Sequence, residues 1–525
     1  MAVDAPAGAA PNFTVPRDYN AAVDLIARNL DAGRGDKVAF IDDRGSYTYR
    51  QLAERVDRAA NALRRLGLEP EQLVLLCLLD TIDFPTVFLG AIKAGIVPIP
   101  VNTVLTTADY EFMLRDSRAR ALVVSDALWE RFAPIVGKLP ALRRVVVSGR
   151  QVPSSCLSLA TLLAEVEPRA EAAATTADDV AFWLYSSGST GMPKGAVHLQ
   201  SHLILTAELY AKPVLGIAAG DTVFSVAKLF FAYGLGNALT FPMSVGATSV
   251  LYADRPTPAA VARILKEKKP SMFFGVPTFY AAMLAANDLP RREEVALRRC
   301  VSAGEALPEE IGRRWSDRFG VDILDGIGST EMLHIFLSNR PGDVHYGTTG
   351  VPVPGYEVRL VDEEGRPTPR GEIGELQVAG PTAAAGYWNN RERSRTTFLG
   401  PWTRCGDKYV QTAEGYYAYC GRSDDMLKVG GIYVSPFEVE GALMTHEAVL
   451  EAAVVGHPDE NELIKPKAFV VLRSGAPVSP ALAEALQQHV KSRLAPFKYP
   501  RWIEFITELP KTATGKIQRF KLRNR

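Results

Sequence analysis

The chain has 525 residues, too many for one ordinary domain, and 47% of them are apolar, enough to form large cores. Lysine and arginine together number 59, as do aspartate and glutamate, so the formal net charge is zero. This balance argues against nucleic acid or an anionic membrane surface as the main partner.

The terminal and cysteine patterns favour a cytoplasmic protein. The N-terminal segment lacks the basic start and apolar core of a secretion signal. The apolar stretch from Cys77 to Val101 is interrupted by aspartates, a lysine and prolines, so it does not predict a membrane span. The five cysteines are widely spaced and form no CxxC pair, which indicates neither a disulfide framework nor a metal site.

Strand-like and helix-like segments alternate as far as about residue 400. Leu52, Val56, Ala60 and Leu63 recur at helical spacing, and Gly67 follows as a helix-ending residue. This rhythm predicts a large α/β domain with parallel or mixed sheets flanked by helices. The expected strands are Ser46–Tyr49, Leu73–Leu79, Ile96–Val101, Ala181–Tyr185, Val223–Phe231, Ala247–Tyr252, Met272–Val276 and Val321–Leu324, and the expected helices include Phe84–Ala94 and Leu199–Tyr210.

Residues Tyr185 to Gly195, YSSGSTGMPKG, form a turn rich in glycine and hydroxyl side chains, with one lysine at Lys194. Glycine lets backbone N–H groups approach an anion, while hydroxyls add donors and the lysine adds a charge. A strand is expected before the turn and a helix after it, so we predict a phosphate-binding loop rather than a flexible surface loop. It is not the common nucleotide loop, because Pro193 precedes the lysine and Gly195 follows it.

The pattern changes after about Gly421. Short strand-like runs and one helix, Pro480 to Leu494, indicate a small α+β unit. We therefore predict an N-terminal domain over residues 1–422 and a smaller C-terminal domain over residues 423–525. The junction, GRSDDMLKVGG, is rich in glycine and charge, which suits an exposed hinge or a plain linker.

Five strings, in order along the chain, resemble the signatures of the acyl-adenylate-forming superfamily, which includes acyl-CoA synthetases, peptide-synthetase adenylation domains and beetle luciferases. They are YSSGSTGMPKG, SAGEAL at 302–307, DGIGSTE at 325–331, RCGD at 404–407 and KTATGKIQR at 511–519. The resemblance implies a two-domain enzyme that activates a carboxylic acid with ATP and Mg²⁺ and then transfers the acyl group to a thiol, such as that of CoA.

The same resemblance implies roles in the nucleotide site. Thr330 would bind the α-phosphate and Glu331 would bind Mg²⁺, which prefers oxygen ligands. Asp407 would accept both ribose hydroxyls, and Arg422 would reach the ribose or a phosphate. Ile327 stands where many relatives carry an adenine-stacking tyrosine, so adenine is expected on an aliphatic surface. The predicted ATP site comprises Ser186, Ser187, Gly188, Ser189, Thr190, Lys194, Gly304, Glu305, Ala306, Asp325, Gly326, Ile327, Gly328, Ser329, Thr330, Asp407, Arg422 and Lys516.

Lys516 matches the family's mobile catalytic lysine, and it completes the predicted catalytic set with Thr330 and Glu331. The resemblance implies that Lys516 serves acyl-AMP formation and then moves away as the small domain rotates. The implied hinge is Asp424, and Gly430, Gly431 and Phe497 are implied to line the path of CoA.

The predicted acid pocket is short and aromatic, which favours a planar ring over acetate or a long chain. Its expected residues are Phe231, Ala232, Tyr233, Gly234, Gly328, His334 and Ile335. His334 is expected either to contact the acid or to pack as a structural histidine. The strings AKLFFAYGLGNALTFP and STEMLHIFLSN resemble those of bacterial benzoate–CoA ligases and of ligases that use 4-hydroxybenzoate.

The sequence leaves several alternatives open. The acid could be benzoate, 4-hydroxybenzoate or a halobenzoate, because an apolar pocket rejects an added hydroxyl only weakly. The acyl acceptor could be CoA or the pantetheine arm of a carrier protein, and a nucleotide-binding scaffold without chemistry is a third reading. The sequence leaves the oligomeric state open, a homodimer included.

Two further patterns do not indicate other enzymes. His198 and His202 stand four residues apart, but no glutamate follows the first as in HExxH, so a zinc site is not expected. The string Val301–Gly304 lacks the GxSxG frame of a hydrolase nucleophile.

Overall fold

A computed structural model describes residues 12–186, 192–423, 425–429, 432–460, 463–511 and 517–523. Its largest sheet has nine strands, of which the central six are parallel, as the β–α–β rhythm predicts. In spatial order the strands are Val351–Pro352, Ile335–Ser338, Ile323–Gly328, Arg299–Ser302, Met272–Gly275, Thr222–Ser225, Thr248–Val250, Val38–Asp42 and Gly45–Thr48.

A second sheet is wholly parallel, and its first three strands in spatial order are short, mostly apolar runs, the expected composition for strands buried on both faces. Its order is Val97–Pro100, Leu73–Cys77, Ala121–Ser125, Arg144–Ser148 and Leu157–Ser158. A third, antiparallel sheet contains Glu357–Val361, Ile373–Ala379, Trp402–Gln411, Phe398–Leu399 and Tyr417–Arg422.

Two antiparallel strands, Val180–Ser186 and Lys194–Leu199, form what we call the 180–199 hairpin, which lies beside Val97–Pro100. The strand expected before the turn and the helix expected from about Leu199 both form, as Val180–Ser186 and from Gln200 onward. A second strand, Lys194–Leu199, lies between the turn and the helix and was not predicted. The outer side of this strand is paired by a distant segment, since Val197 N–H donates to the Gly386 carbonyl at 3.0 Å and Trp388 N–H donates to the Gly195 carbonyl at 2.8 Å.

Helices cover the sheets, and local signals explain their ends. The predicted helix with Leu52 and Val56 spans Tyr49–Arg65, begins with a Thr48 capping box, and is followed by Gly67 at φ 85°. The expected strand Val223–Phe231 is shorter, because the residues after Ser225 form a loop. The helices of this part are Ala21–Asp31, Tyr49–Arg65, Asp83–Lys93, Thr107–Ser117, Leu159–Ala164, Gln200–Thr206 with wider turns to Leu215, Ala232–Leu235 with wider turns to Thr240, Phe241–Val245, Pro258–Glu267, Pro277–Leu284, Glu309–Phe319 and Arg391–Thr397.

The C-terminal part has its own hydrophobic core, which joins residues between Leu427 and Val490. Its elements are the strands Leu427–Val429, Ile432–Val434, Val449–Pro458, Ile464–Leu472 and Trp502–Phe505 and the helices Pro436–Met444, Pro480–Lys491 and Arg519–Arg523. The division at residue 422 stays a prediction. In the part of the chain that the structure describes, no helix combines the length and apolar character needed to span a membrane.

Candidate active site

Glu331 lies against the end of the 180–199 hairpin. The Ser186 hydroxyl donates to Glu331 Oε1 at 3.3 Å, and Ser186 is the last residue of its strand. Glu331 follows the strand Ile323–Gly328 of the large sheet, and its side chain is partly exposed. The structure thus brings together two of the sequence strings, the glycine–hydroxyl turn and DGIGSTE.

Tyr387 is a site residue that the sequence analysis missed. Its hydroxyl donates to the same Glu331 oxygen at 2.7 Å, and the Lys194 Nζ atom lies 4.9 Å from the centre of its ring. Burial, reinforced by the Glu331 carboxylate, raises the pKa of Tyr387 well above its usual value, so the phenol keeps its proton and donates. Only the pairing of residues 386–388 with the hairpin brings Tyr387 here, and no local sequence signal predicts that pairing.

Ser329 and Thr330 lie between the sheet and Glu331, and both are partly exposed. Ser329 Oγ accepts a hydrogen bond from the Met332 N–H at 3.2 Å, which closes the backbone turn after the strand. The turn is tight, because a Cβ atom on Gly328 would stand 2.4 Å from the His334 carbonyl oxygen. A side chain at Gly328 would therefore displace the segment that carries Thr330 and Glu331.

The predicted adenine region forms at the carboxyl ends of two neighbouring parallel strands. Gly304, Glu305 and Ala306 follow Arg299–Ser302, and the next residue, Leu307, donates its N–H to Asp325 Oδ2 at 3.4 Å. Burial raises the pKa of Asp325 well above its usual value. Gly326 and Ile327 continue the same strand, and Ile327 packs partly buried against the main core.

Asp407 and Arg422 face each other on paired strands of the antiparallel sheet. Arg422 Nη1 donates to Asp407 Oδ1 at 3.1 Å and to the Cys405 carbonyl at 3.2 Å. Burial raises the pKa of the Cys405 thiol, and the carboxylates of Asp407 and Glu331 raise it further. The carboxylates predicted to bind the ribose and the metal therefore both act electrostatically on the same thiol.

The predicted acid pocket is aromatic in the structure as well. The rings of Tyr210, Tyr233 and Phe241 lie 5.6, 5.6 and 4.5 Å from the His334 ring, centre to centre. His334 Nε2 lies 3.3 Å from the Tyr233 carbonyl and 3.2 Å from Asn237 Oδ1, so this nitrogen carries the proton.

His334 is buried and neutral, and its other ring nitrogen has no described partner. Burial lowers the pKa of His334 to about 3. With the proton on Nε2, Nδ1 is a hydrogen-bond acceptor, and no described residue donates to it. The remaining predicted pocket residues are Phe231, Ala232, Gly234 and Ile335. Ala232 and Gly234 lie on the short helix Ala232–Leu235, Phe231 comes directly before that helix, and Ile335 begins the strand that follows His334.

Eight predicted residues lie outside the described part of the chain: Ser187, Gly188, Ser189, Thr190, Asp424, Gly430, Gly431 and Lys516. Phe497 is described and packs partly buried against the C-terminal core. The neighbouring Lys498 Nζ binds the Glu438 carboxylate at 2.6 Å. These roles, like the others assigned to single residues, remain predictions.

The fold and the site define a class of protein: an α/β protein in which the 180–199 hairpin meets the Glu331 carboxylate, with a smaller C-terminal unit. The chain belongs to the family of AMP-binding enzymes. It matches the AMP-binding enzyme family over residues 27–388 and the AMP-binding enzyme C-terminal domain over residues 438–516. The resemblance to acyl-adenylate-forming enzymes is thereby confirmed.

Individual relatives cover nearly the whole chain. A benzoate–CoA ligase of Thauera aromatica is 64% identical over 98% of this chain and 97% of its own length. A 4-hydroxybenzoate–CoA/benzoate–CoA ligase of Rhodopseudomonas palustris is 52% identical over 97% of this chain and 94% of its own length. The crystal structure of a benzoate CoA ligase from Burkholderia xenovorans LB400 superimposes with a TM-score of 0.90 at 56% identity, covering 96% of this chain and 100% of that one.

Proposed function

We propose that this protein joins benzoate to CoA in an ATP-dependent reaction through benzoyl-AMP, releasing pyrophosphate and AMP. The observation that carries this proposal is the 64% identity with a benzoate–CoA ligase over nearly the full length of both chains. The convergence of Ser186, Tyr387 and Glu331 supports it, because glycine N–H groups and hydroxyls can bind phosphates while a carboxylate beside them can hold the Mg²⁺ of a nucleoside triphosphate.

In the first half-reaction, a benzoate oxygen attacks the α-phosphorus of ATP and the bond to pyrophosphate breaks. The glycine–hydroxyl turn and Lys194 hold the β- and γ-phosphates, and Thr330 binds the α-phosphate. Lys516 bridges the attacking carboxylate and the α-phosphate, where negative charge accumulates. Asp407 holds the ribose, and Asp325 to Gly328 with Gly304 to Ala306 line the adenine.

The residues present fit one Mg²⁺ ion. Glu331 is a single carboxylate, which suits Mg²⁺ because this ion is commonly held by one or two carboxylates together with substrate phosphates. Both hydrogen bonds that described residues make to Glu331 fall on Oε1, so Oε2 is left for an ion. When bound, the ion would offset phosphate charge.

In the second half-reaction, the CoA thiol attacks the carbonyl of benzoyl-AMP and AMP leaves. The small domain rotates about Asp424 so that Lys516 withdraws and the thiol approaches past Gly430, Gly431 and Phe497. Contacts on either side of the hinge support this proposal. Arg422 pairs with Asp407 of the large domain, whereas Asp425 pairs with Arg519 at 3.7 Å and with Arg523.

A hydroxybenzoate is the second candidate substrate, and one observation favours it. A ring hydroxyl could donate to His334 Nδ1, an acceptor that no described residue satisfies. Unsubstituted benzoate has no donor for that nitrogen, so it does not gain this hydrogen bond. We propose benzoate as the main substrate because the relative at 64% identity is a benzoate–CoA ligase.

A panel of acids and acceptors tests this function. Benzoate, the three hydroxybenzoates and the halobenzoates are compared for kcat/KM in CoA consumption, each with free CoA and with a purified pantetheinylated carrier protein. We expect benzoate with free CoA to be used best. A preference for the carrier protein would instead identify a carrier-loading enzyme, and absence of aryl-acid-dependent pyrophosphate release would contradict the proposal.

We also propose a cytoplasmic location, which the free thiols of all five cysteines support.

A further inference from the structure

His198 and His202 form a buried pair beside the candidate site. His198 lies on the second strand of the 180–199 hairpin, His202 lies on the helix Gln200–Thr206, and their side chains are fully or almost fully buried. Their Nδ1 atoms are 3.1 Å apart, and the His198 ring stacks on Phe182 with centres 5.2 Å apart and 22° between the planes. Such burial calls for a satisfied hydrogen-bond arrangement.

The partners of His198 fix where its proton lies. Its Nε2 atom is 2.8 Å from the Thr330 carbonyl oxygen, which can only accept, so Nε2 carries the hydrogen and donates. Burial lowers the pKa of His198 to about 4, so the ring is neutral and Nδ1 accepts. His202 Nδ1 must then donate to His198 Nδ1. The Leu199 N–H lies 3.4 Å from His202 Nδ1 and would suit the reverse arrangement, in which His202 Nδ1 accepts and His198 Nδ1 donates. In that arrangement His198 Nε2 would have no hydrogen and would face the Thr330 carbonyl oxygen, so two acceptors would oppose each other.

The carbonyl that His198 holds belongs to the peptide bond between Thr330 and Glu331. The same oxygen accepts the Leu333 N–H at 3.2 Å, so two donors define the orientation of this peptide. The side chains on its two sides are the proposed α-phosphate ligand and the proposed metal ligand. His198 also stands on the hairpin whose other strand ends at Ser186, so it ties the phosphate turn to the Thr330–Glu331 segment.

We propose that His198 is a positioning residue for acyl-AMP formation, acting through the Thr330 carbonyl, and that His202 fixes its tautomer. This inference rests on the proposed function. Residues that orient a ligand-binding group from behind commonly change affinity or activity by about 10- to 100-fold when they are replaced. A rotated Thr330–Glu331 peptide would misplace both side chains for the nucleotide.

Four histidine variants and one control variant separate positioning from simple packing. His198→Gln keeps an amide donor near the place of Nε2, whereas His198→Leu removes it. His202→Asn keeps a donor near Nδ1, whereas His202→Leu removes it. Phe182→Leu is the matched control, because it removes the ring stacked on His198 but leaves the bond to Thr330. Each variant is assayed for benzoate-dependent ATP–pyrophosphate exchange, for CoA transfer from supplied benzoyl-AMP, and for thermal unfolding.

We expect His198→Leu to lower kcat of the exchange reaction by roughly 10- to 100-fold and CoA transfer by a clearly smaller factor. His198→Gln should retain most of the exchange activity that His198→Leu loses. His202→Leu should lower the exchange activity less than His198→Leu does. Equal losses in both half-reactions, or losses that match those of Phe182→Leu at equal folded fraction, would overturn the inference. If His198→Leu does not fold, His202→Leu and His202→Asn are compared instead. Equal exchange activity in these two variants would overturn the inference.

Failure of this inference can be distinguished from failure of the proposed function. If the unmodified protein shows no exchange with any acid of the panel, the proposed function fails on its own. Calorimetry with Mg·ATP then tests positioning directly, and binding weakened by about tenfold in His198→Leu but not in Phe182→Leu is the expected result. Equal affinity in both variants would contradict the inference.

Discussion

The edge of the large domain that carries Glu331 and the C-terminal unit are built in different ways. At the edge, three buried or half-buried donors hold one short segment: His198 on the Thr330 carbonyl, and Ser186 and Tyr387 on the Glu331 carboxylate. The C-terminal unit instead has a separate core and its own ion pair, in which the partly buried Arg519 binds the buried Glu440 at 2.8 Å. The first arrangement suits one fixed geometry, and the second suits a unit that moves as a body.

Replacement of the proposed mobile lysine should give the largest effect and tests the difference between the two regions. Lys516→Ala should slow benzoyl-AMP formation by a factor on the order of a hundred or more, because it removes a donor to charge in the transition state. CoA transfer from supplied benzoyl-AMP should be largely retained. Rapid-quench measurement of the two half-reactions checks this, with Lys511→Ala as the control on the same segment. Equal loss in both half-reactions would contradict the proposal that Lys516 serves benzoyl-AMP formation but not CoA transfer.

A substitution on the other side of the proposed rotation should give the opposite pattern. Gly431→Leu should spare pyrophosphate exchange and slow CoA transfer by at least about tenfold, because a branched side chain would narrow the path of the pantetheine arm. The matched control is Gly441→Leu, a glycine of the same unit where an added Cβ atom would meet no neighbouring group within 4 Å. An unhindered full reaction in Gly431→Leu would remove the tunnel assignment.

Tyr387 tests how rigid the fixed edge must be. Tyr387→Phe removes the 2.7 Å hydrogen bond to Glu331 but keeps the ring beside Lys194. We expect about a tenfold loss in exchange activity, with a higher Mg²⁺ requirement, as for other groups that orient a metal ligand. Tyr416→Phe is the control, because its hydroxyl donates to Asp343 at an exposed position. An unchanged Mg²⁺ dependence in Tyr387→Phe would contradict an orienting role.

Asp80 gives a smaller, pH-dependent effect on the loop of the acid pocket. The Leu229 N–H donates to its buried carboxylate at 3.2 Å, and burial raises the pKa of Asp80 from 3.8 to about 6. A folded pKa above the unfolded one means that Asp80 contributes stability below about pH 4 that is lost as the pH rises through about 6. Relative to Asp80→Asn, the native protein should lose about 1.4 kcal/mol per pH unit across that interval.

Denaturation midpoints of the native protein and Asp80→Asn at several pH values check this prediction, because groups shared by the two proteins cancel. Asp459→Asn, on the C-terminal unit, serves as the control. A stability difference between native protein and Asp80→Asn that does not change between pH 4 and pH 7 would contradict the prediction.

Local patterns in the sequence predicted the α/β fold, because strand and helix periodicity and the Thr48 cap act over a few residues. The sequence also brought Ser186 and Glu331 into one site through the family resemblance. It did not predict the strand at residues 194–199, which is paired on its outer side by residues 386–388, nearly two hundred positions away. Tyr387 was missed and the histidine pair was left without a role for the same reason, since their partners are distant in the chain.

A single-turnover experiment without CoA tests the central claim most directly, namely that the fixed edge and Lys516 complete adenylation before the C-terminal unit presents the thiol path. The protein is mixed with Mg·ATP and benzoate alone, quenched, and the products are measured before and after CoA is added. We predict one equivalent of bound benzoyl-AMP and pyrophosphate without CoA, and benzoyl-CoA with AMP only after CoA. Release of ADP and phosphate, or no pyrophosphate until CoA is present, would contradict the account.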